Sequence, residues 1–285
     1  MLYNTTLSYL INNYYEYNTY IALLITLITY FLCVYRLTYD PFLLKLFTKK
    51  KKISTIYNSI NKYIKHFSIY YDDRDESHGI EHVSNVAILA NEIADHYELN
   101  PLDIKTITIT SLLHDAYDHK YVKNPDKLKR RINRDLRKLY CTDAQIILIH
   151  NIIEDISFSK EKKKRDPKYP TKKIITFDNS HNQLLRDIIS DADKCEAIGD
   201  SAIVRMIQYM NHNNKYNEYD KYSDEWYKYY IKHIKEHCDE KLFILLSHNY
   251  IRTSKGRKLA KEKEDYLRRV INNDKLLKKL IKDFS

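Results

Sequence analysis

Glycine and proline are the residues that interrupt helices, and this chain of 285 residues carries 3 Gly and 5 Pro. So few breakers favour long helices joined by few turns. Beyond residue 56 the apolar spacing agrees. "EHVSNVAILANEIADHY" turns Val83, Val86, Ile88, Leu89 and Ile93 mainly toward one side of a helix. "PLDIKTITITSLLHDAY" opens on Pro101 with Asp103 in the first turn, both suited to a helix start. Its β-branched alternation through Thr110 imitates a strand. Leu112, Leu113 and the His114–Asp115 pair extend it, so a buried helix is the expectation. "AQIILIHNIIEDISF", "QLLRDIISDADKCEAIGDSAIVRMIQYM", "DEWYKYYIKHIKEHCDEKLFILLSHNYI" and "LAKEKEDYLRRVINNDKLLKKLIKDF" read as further helices. The stretch 160–173, "KEKKKRDPKYPTKK", reads as a basic loop with two prolines. No strand run or internal repeat emerges.

The front of the chain differs. From Tyr17 to Tyr35 no charged residue occurs, enough for a helix of about 28 Å, close to a bilayer core. Tyr lies near both ends, and Arg36, Lys45 and the lysines 49–52 follow. The expectation is a transmembrane helix over 17–36, preceded by a short tail 1–16 and followed by a basic juxtamembrane linker 37–56. The positive-inside rule then turns the C-terminal domain, 57–285, toward the cytoplasm. A cleaved signal peptide would need a basic n-region and a small-residue cleavage site, and neither is present.

The net charge of +10 favours phosphate-bearing partners: nucleotides, nucleic acid or anionic lipid. The four cysteines are widely separated, which suggests neither a CxxC zinc site nor a compact disulfide framework. No Gly-rich phosphate loop and no GxSxG element occurs.

Residues that bind metals gather at three places. His78 and His82 are four apart and share a helix face if both are helical. His114 and Asp115 close an apolar helix. Asp191 and Asp193 flank Ala192 at another change from apolar to polar. Imidazole nitrogen with carboxylate oxygen and no thiolate suits Mn, Fe, Ni or Zn better than Mg or Ca. The order His82, His114–Asp115, Asp193 resembles the H…HD…D pattern of the HD superfamily of metal-dependent phosphohydrolases. The flanks "HGIEHVSNV", "SLLHDAYDHKY" and "DADKCEAIG" are similar to that family's motifs. Arg252, Thr253, Gly256, Arg257 and Ala260 resemble a string in the C-terminal helices of its small stand-alone hydrolases. Asn85 and Glu196 stand where the family often has Arg and Asp.

The resemblance covers about residues 57–270. It implies an all-α HD-domain bundle in which His82, His114, Asp115 and Asp193 hold a divalent ion (Mn, Fe, Ni, Co, Zn or Mg). Asp118, at the offset where related nucleotidases place a catalytic acid, is the candidate general acid or base. Its alternative is a loop carboxylate paired with a lysine. Lys120 and Lys123 could bind phosphate, and His78 could contact substrate. His150 reads as a satisfied core histidine or as a phosphate or second-metal ligand. The function implied is hydrolysis of a phosphate ester, of a nucleotide or similar small molecule, by metal-activated water. Two other readings stand beside it: a membrane-tethered module that binds metal and nucleotide without turnover, and nucleic-acid binding through the basic surface.

Overall fold

A computed structural model describes residues 41–74, 79–118, 121–213 and 219–285. The chain divides into two units, Met1–Thr55 and Ile56–Ser285. Among the described residues the regular structure is helical, with no strand. The helices are α1 (Pro41–Phe67), α2 (Ile80–Ala94), α3 (Pro101–Leu113), α4 (Pro125–Lys138), α5 (Asp143–Asp155), α6 (Phe158–Lys164), α7 (Ser180–Glu196), α8 (Asp200–His212), α9 (Asp224–His237), α10 (Ile244–Ser247), α11 (Ser254–Ile271) and α12 (Asp274–Phe284).

The expected transmembrane helix, and with it the single-pass membrane placement with a cytoplasm-facing domain, is not borne out among the described residues. Among the described residues no helix is long and apolar enough to cross a membrane. Residues 17–36 themselves lie outside the described residues. The long helices α1 and α11 carry lysine or arginine throughout, which hydrocarbon would not accept. Among the described residues the fold class is therefore all-α without a membrane span. The segment 37–56, read as a linker, is helical from Pro41 onward, and no glycine or proline interrupts the chain between Pro41 and Gly79. The basic stretch 160–173 is also partly ordered, since α6 takes its first residues.

α3 shows why the β-branched alternation did not make a strand. Asn100 caps it, accepting from the Leu102 and Asp103 N–H groups, and Asp103 returns a bond to the Asn100 N–H. Thr106, Thr108 and Thr110 donate their hydroxyls to the carbonyls four residues back at 2.7–2.9 Å. Each threonine is thus satisfied inside a helix that is buried on all sides, where a polar group without a partner would be costly. Ile107 joins one apolar core; Ile109, Leu112 and Leu113 join a second. α2 likewise sends Val86, Ala90 and Ile93 to the first core and Val83 and Ala87 to the second. α2 and α3 therefore form the partition between the cores, and α7 packs against both. At about 1.5–3 kcal/mol for each fully buried Ile or Leu, this packing fixes the ends of the three helices.

Two long helical runs break where the backbone demands it. Gly199, at φ 113°, separates α7 from α8 in a conformation that side-chain-bearing residues rarely adopt. Asn272 and Asn273 separate α11 from α12, with Asn273 accepting from the Leu276 N–H. α9 passes into a π-helical turn, Cys238–Leu242, before α10.

Candidate metal centre

α2, α3 and α7 meet at one point. His82 lies in the first turn of α2, behind Gly79. Its Nδ1 is 3.1 Å from Glu196 Oε2 at the end of α7. Burial resists a charge on Glu196, but His82 and Arg205 hold its carboxyl below the usual range. An ionised carboxylate only accepts, so His82 donates from Nδ1 and turns Nε2 inward. His114 follows the last residue of α3. Its Nδ1 is 2.7 Å from the Ser111 carbonyl, again only an acceptor, which leaves Nε2 facing the same point. The turn carrying it is clamped: Tyr71 donates to the Leu112 carbonyl at 2.7 Å, and Arg74 to the Ala116 carbonyl at 3.0 Å.

The carboxylates close around these nitrogens. Asp193 Oδ1 is 3.7 Å from His82 Nε2 and 3.6 Å from His114 Nε2. Asp115 is 3.5 Å from each histidine, through Oδ2 and Oδ1 respectively. Such separations are too long for hydrogen bonds. They suit the edges of a coordination shell, since ligand bonds of about 2.1 Å at tetrahedral angles set donors about 3.4 Å apart. His82, His114 and Asp193 each offer one ligand atom within 4.8 Å of the others, a set that could hold a metal ion. His114 Nε2 is buried and has no hydrogen-bond partner. A buried ring nitrogen aimed at two carboxylates without bonding either fits a divalent cation.

The charge balance points the same way. Burial disfavours a charged His114, yet Asp115 and Asp193 outweigh it and push the imidazole up to about 10. Burial likewise opposes ionisation of Asp193, and His114 and His82 more than offset it, holding that carboxyl far below its ordinary range. The pocket is built to hold positive charge.

Above the four residues opens a cleft of about 840 Å³. Asp118 lines it, just past the turn, with its N–H bonded to the Asp115 carbonyl. Lys129, Lys160, Lys163 and Arg205 also line it. Lys123 does not; it lines a separate depression with Tyr121 and Arg131. His150 lines the cleft, but both ring nitrogens are engaged: Nε2 with Asn133 Oδ1 at 2.6 Å and Nδ1 with the Tyr117 hydroxyl at 3.2 Å. Burial and Lys129 lower it to about 4, so it is neutral, donating to Asn133 and accepting from Tyr117. His78 and Lys120 lie outside the described residues.

Asp191 faces away from the cleft. Its buried carboxylate accepts from the Arg252 and Thr253 N–H groups and from the Thr253 hydroxyl. Arg252 pairs with Asp187 and Glu161, and Arg257 donates to Asn249 and to the Ile251 carbonyl. The Arg-Thr-x-x-Gly-Arg string is thus a clamp on the C-terminal helices.

Sequence reasoning missed four contributors. Glu196 appeared only as a departure from the family pattern, although it is one helical turn beyond Asp193. Lys160 and Lys163 are three apart in a lysine run that hides the spacing. Arg205, 2.9 Å from Glu196 Oε2, had no sequence signal because it enters from α8 across the Gly199 break.

No family model and no curated protein matches the chain. Solved structures do. A protein of Lactobacillus plantarum is 22% identical with a TM-score of 0.52, over 75% of this chain and 94% of that one. The likeness is one of fold. An HD-superfamily hydrolase of Bacillus thuringiensis is 17% identical, over 75% and 94%, with a TM-score of 0.49. YpgQ of Bacillus subtilis in complex with ADP is 19% identical, over 81% and 96%, with a TM-score of 0.47.

Proposed function

We propose that the chain is a metal-dependent phosphohydrolase of HD type. Its substrate would be a phosphate ester, of a nucleotide or similar small molecule. One observation carries the reading. Two histidines, each with Nδ1 tied to an acceptor, aim Nε2 at a point shared with Asp193 and Asp115 on the floor of a lysine-rimmed cleft. The order of these residues also resembles the H…HD…D pattern.

His82, His114, Asp115 and Asp193 would hold the ion. It would lower the pKa of a bound water and neutralise charge on the phosphoryl group. The two nitrogens and the carboxylates suit Mn, Fe, Co, Ni or Zn, with Mg as a harder alternative. Lys129, Lys160 and Lys163 would hold the phosphate oxygens as point charges. Glu196 would keep His82 in the tautomer that offers Nε2. Asp118 stands on the cleft wall, where it could give a proton to the leaving oxygen.

The test is a panel of phosphomonoesters and phosphodiesters assayed with the full chain across Mn, Co, Ni, Zn and Mg. The expected result is hydrolysis that chelation stops and His114→Ala abolishes, together with loss of bound metal by elemental analysis. Asp118→Asn is expected to retain the metal and lose turnover. Hydrolysis that persists in His114→Ala after chelation would end this reading.

A further inference from the structure

α4 is the most one-sided charged element among the described residues. Ile132 and Leu136 bury one face. On the opposite face Lys127, Arg130, Arg131, Arg134, Arg137 and Lys138 are all exposed. Arg137 pairs with Asp143 and Lys138 with Asp135. Lys127, Arg130, Arg131 and Arg134 have no acidic partner among the described residues. Three surface depressions follow the stripe. Arg134 lines all three, and Lys65, Arg74 and Lys123 add cations from neighbouring segments. So concentrated an excess of guanidinium is costly unless something anionic is meant to sit there.

The helix ends in an unusual way. Tyr140 takes φ 58°, the left-handed position that glycine or asparagine ordinarily fills after a helix. Its ring packs on little, for the residue is 89% exposed. Tyr121 lies along the same surface with the Arg74 guanidinium 4.3 Å from its ring centre. Aromatic faces beside arginines are what unstacked bases bind.

From these we infer that the α4 face is a binding surface for single-stranded nucleic acid, with the arginine stripe on the phosphates and Tyr140 against a base. From Lys127 to Lys138 the stripe runs about 16 Å. That is several times the roughly 3.4 Å between successive phosphates along one strand of a duplex, so the stripe is a track for a run of phosphates rather than a seat for one. An anionic bilayer fits less well, because a helix lying in a membrane needs a free apolar face and α4 has spent its own on the core. The inference does not depend on the proposed reaction. Arg130 and Arg134 do not line the metal cleft.

The experiment is fluorescence anisotropy of a labelled 20-nucleotide single strand with the full chain, between 50 and 300 mM salt. The affinity is expected to fall linearly on a log–log plot, by about 0.7 in slope for each phosphate neutralised. Arg130→Glu/Arg134→Glu should weaken binding at least tenfold and flatten the slope by about 1.4. Tyr140→Ala should weaken it about tenfold through lost stacking. Lys275→Glu/Lys279→Glu, on exposed positions of α12, should stay within twofold of wild type. A circular-dichroism melt identical to wild type keeps the charge reversals interpretable. The inference is overturned by absence of binding at 50 mM salt, by equal losses in the α4 and α12 variants, or by tighter binding to phosphatidylserine vesicles than to the strand.

Discussion

Glu161→Gln removes one charge from the most crowded ionic cluster in the protein. Glu161 is 3% exposed. Its Oε1 accepts from Arg165 and Arg252 at 2.6 Å each, and its Oε2 from Arg186 at 3.3 Å, with Lys194 Nζ 3.8 Å away. Asp155 and Asp187 are the other acids that pair with Arg186, and Asp187 also pairs with Arg252. Those four cations therefore face three carboxylates, and the variant leaves two. Burial pushes the Glu161 carboxyl up, but Lys194, Arg165, Arg252 and Arg186 outweigh it and hold it at about 2. A fall from 4.5 to about 2 is worth about 3 kcal/mol of folding stability. That agrees with the roughly 3–5 kcal/mol lost when a buried ion pair is broken. At about 2–4 °C per kcal/mol, Tm should drop by about 10 °C. The measurement is urea and thermal denaturation of both proteins across pH. A lowered carboxyl stabilises fully above its unfolded pKa of about 4.5 and loses that contribution as pH falls toward 2. The gap between wild type and variant should therefore be constant near neutrality and close below about pH 4.5. A loss under 1 kcal/mol at pH 7, or a gap unchanged at pH 3, would refute the reasoning.

Other outcomes follow from the same geometry. Glu196→Gln should weaken metal binding by about 10–100-fold, read by competition with a chelating dye, because His82 loses the carboxylate that fixes its ring. Metal binding should release close to one proton at pH 7, since the metal-free His114 holds its proton up to about 10 and must give it up. Calorimetry in buffers of different ionisation enthalpy checks this, and affinity should rise with pH. Gly256→Ala would set a methyl 2.6 Å from Thr253 Oγ1 and 2.7 Å from Asp191 Oδ2, both fixed by hydrogen bonds. It should cost about 1–3 kcal/mol in urea denaturation.

Much of this was legible in the chain. Sparse glycine and proline predicted helices, spacing gave three His/Asp clusters, and the resemblance to the H…HD…D pattern narrowed them to His82, His114–Asp115 and Asp193. His–Asp pairs at apolar-to-polar boundaries are informative because burial there demands a partner. The membrane reading rested on a charge-free window over 17–36, and no helix among the described residues is long and apolar enough to bear it out. Helix ends were misplaced where the breaker was a lone Gly199 or the pair Asn272–Asn273, which composition barely weights. Asp191 and Asp193 could not be assigned separate tasks from spacing. Two residues along a helix turns a side chain about 200°, and only the packing of α7 says which side meets the cleft.

That half-turn has a consequence for the far end of the chain. Because Asp191 is bolted to the backbone of Arg252 and Thr253, the rotation of α7 about its own axis is set from behind, and the aim of Asp193 with it. Shortening the protein to residues before 252 would leave every cation-facing side chain in place on paper while freeing the axle on which one of them is mounted.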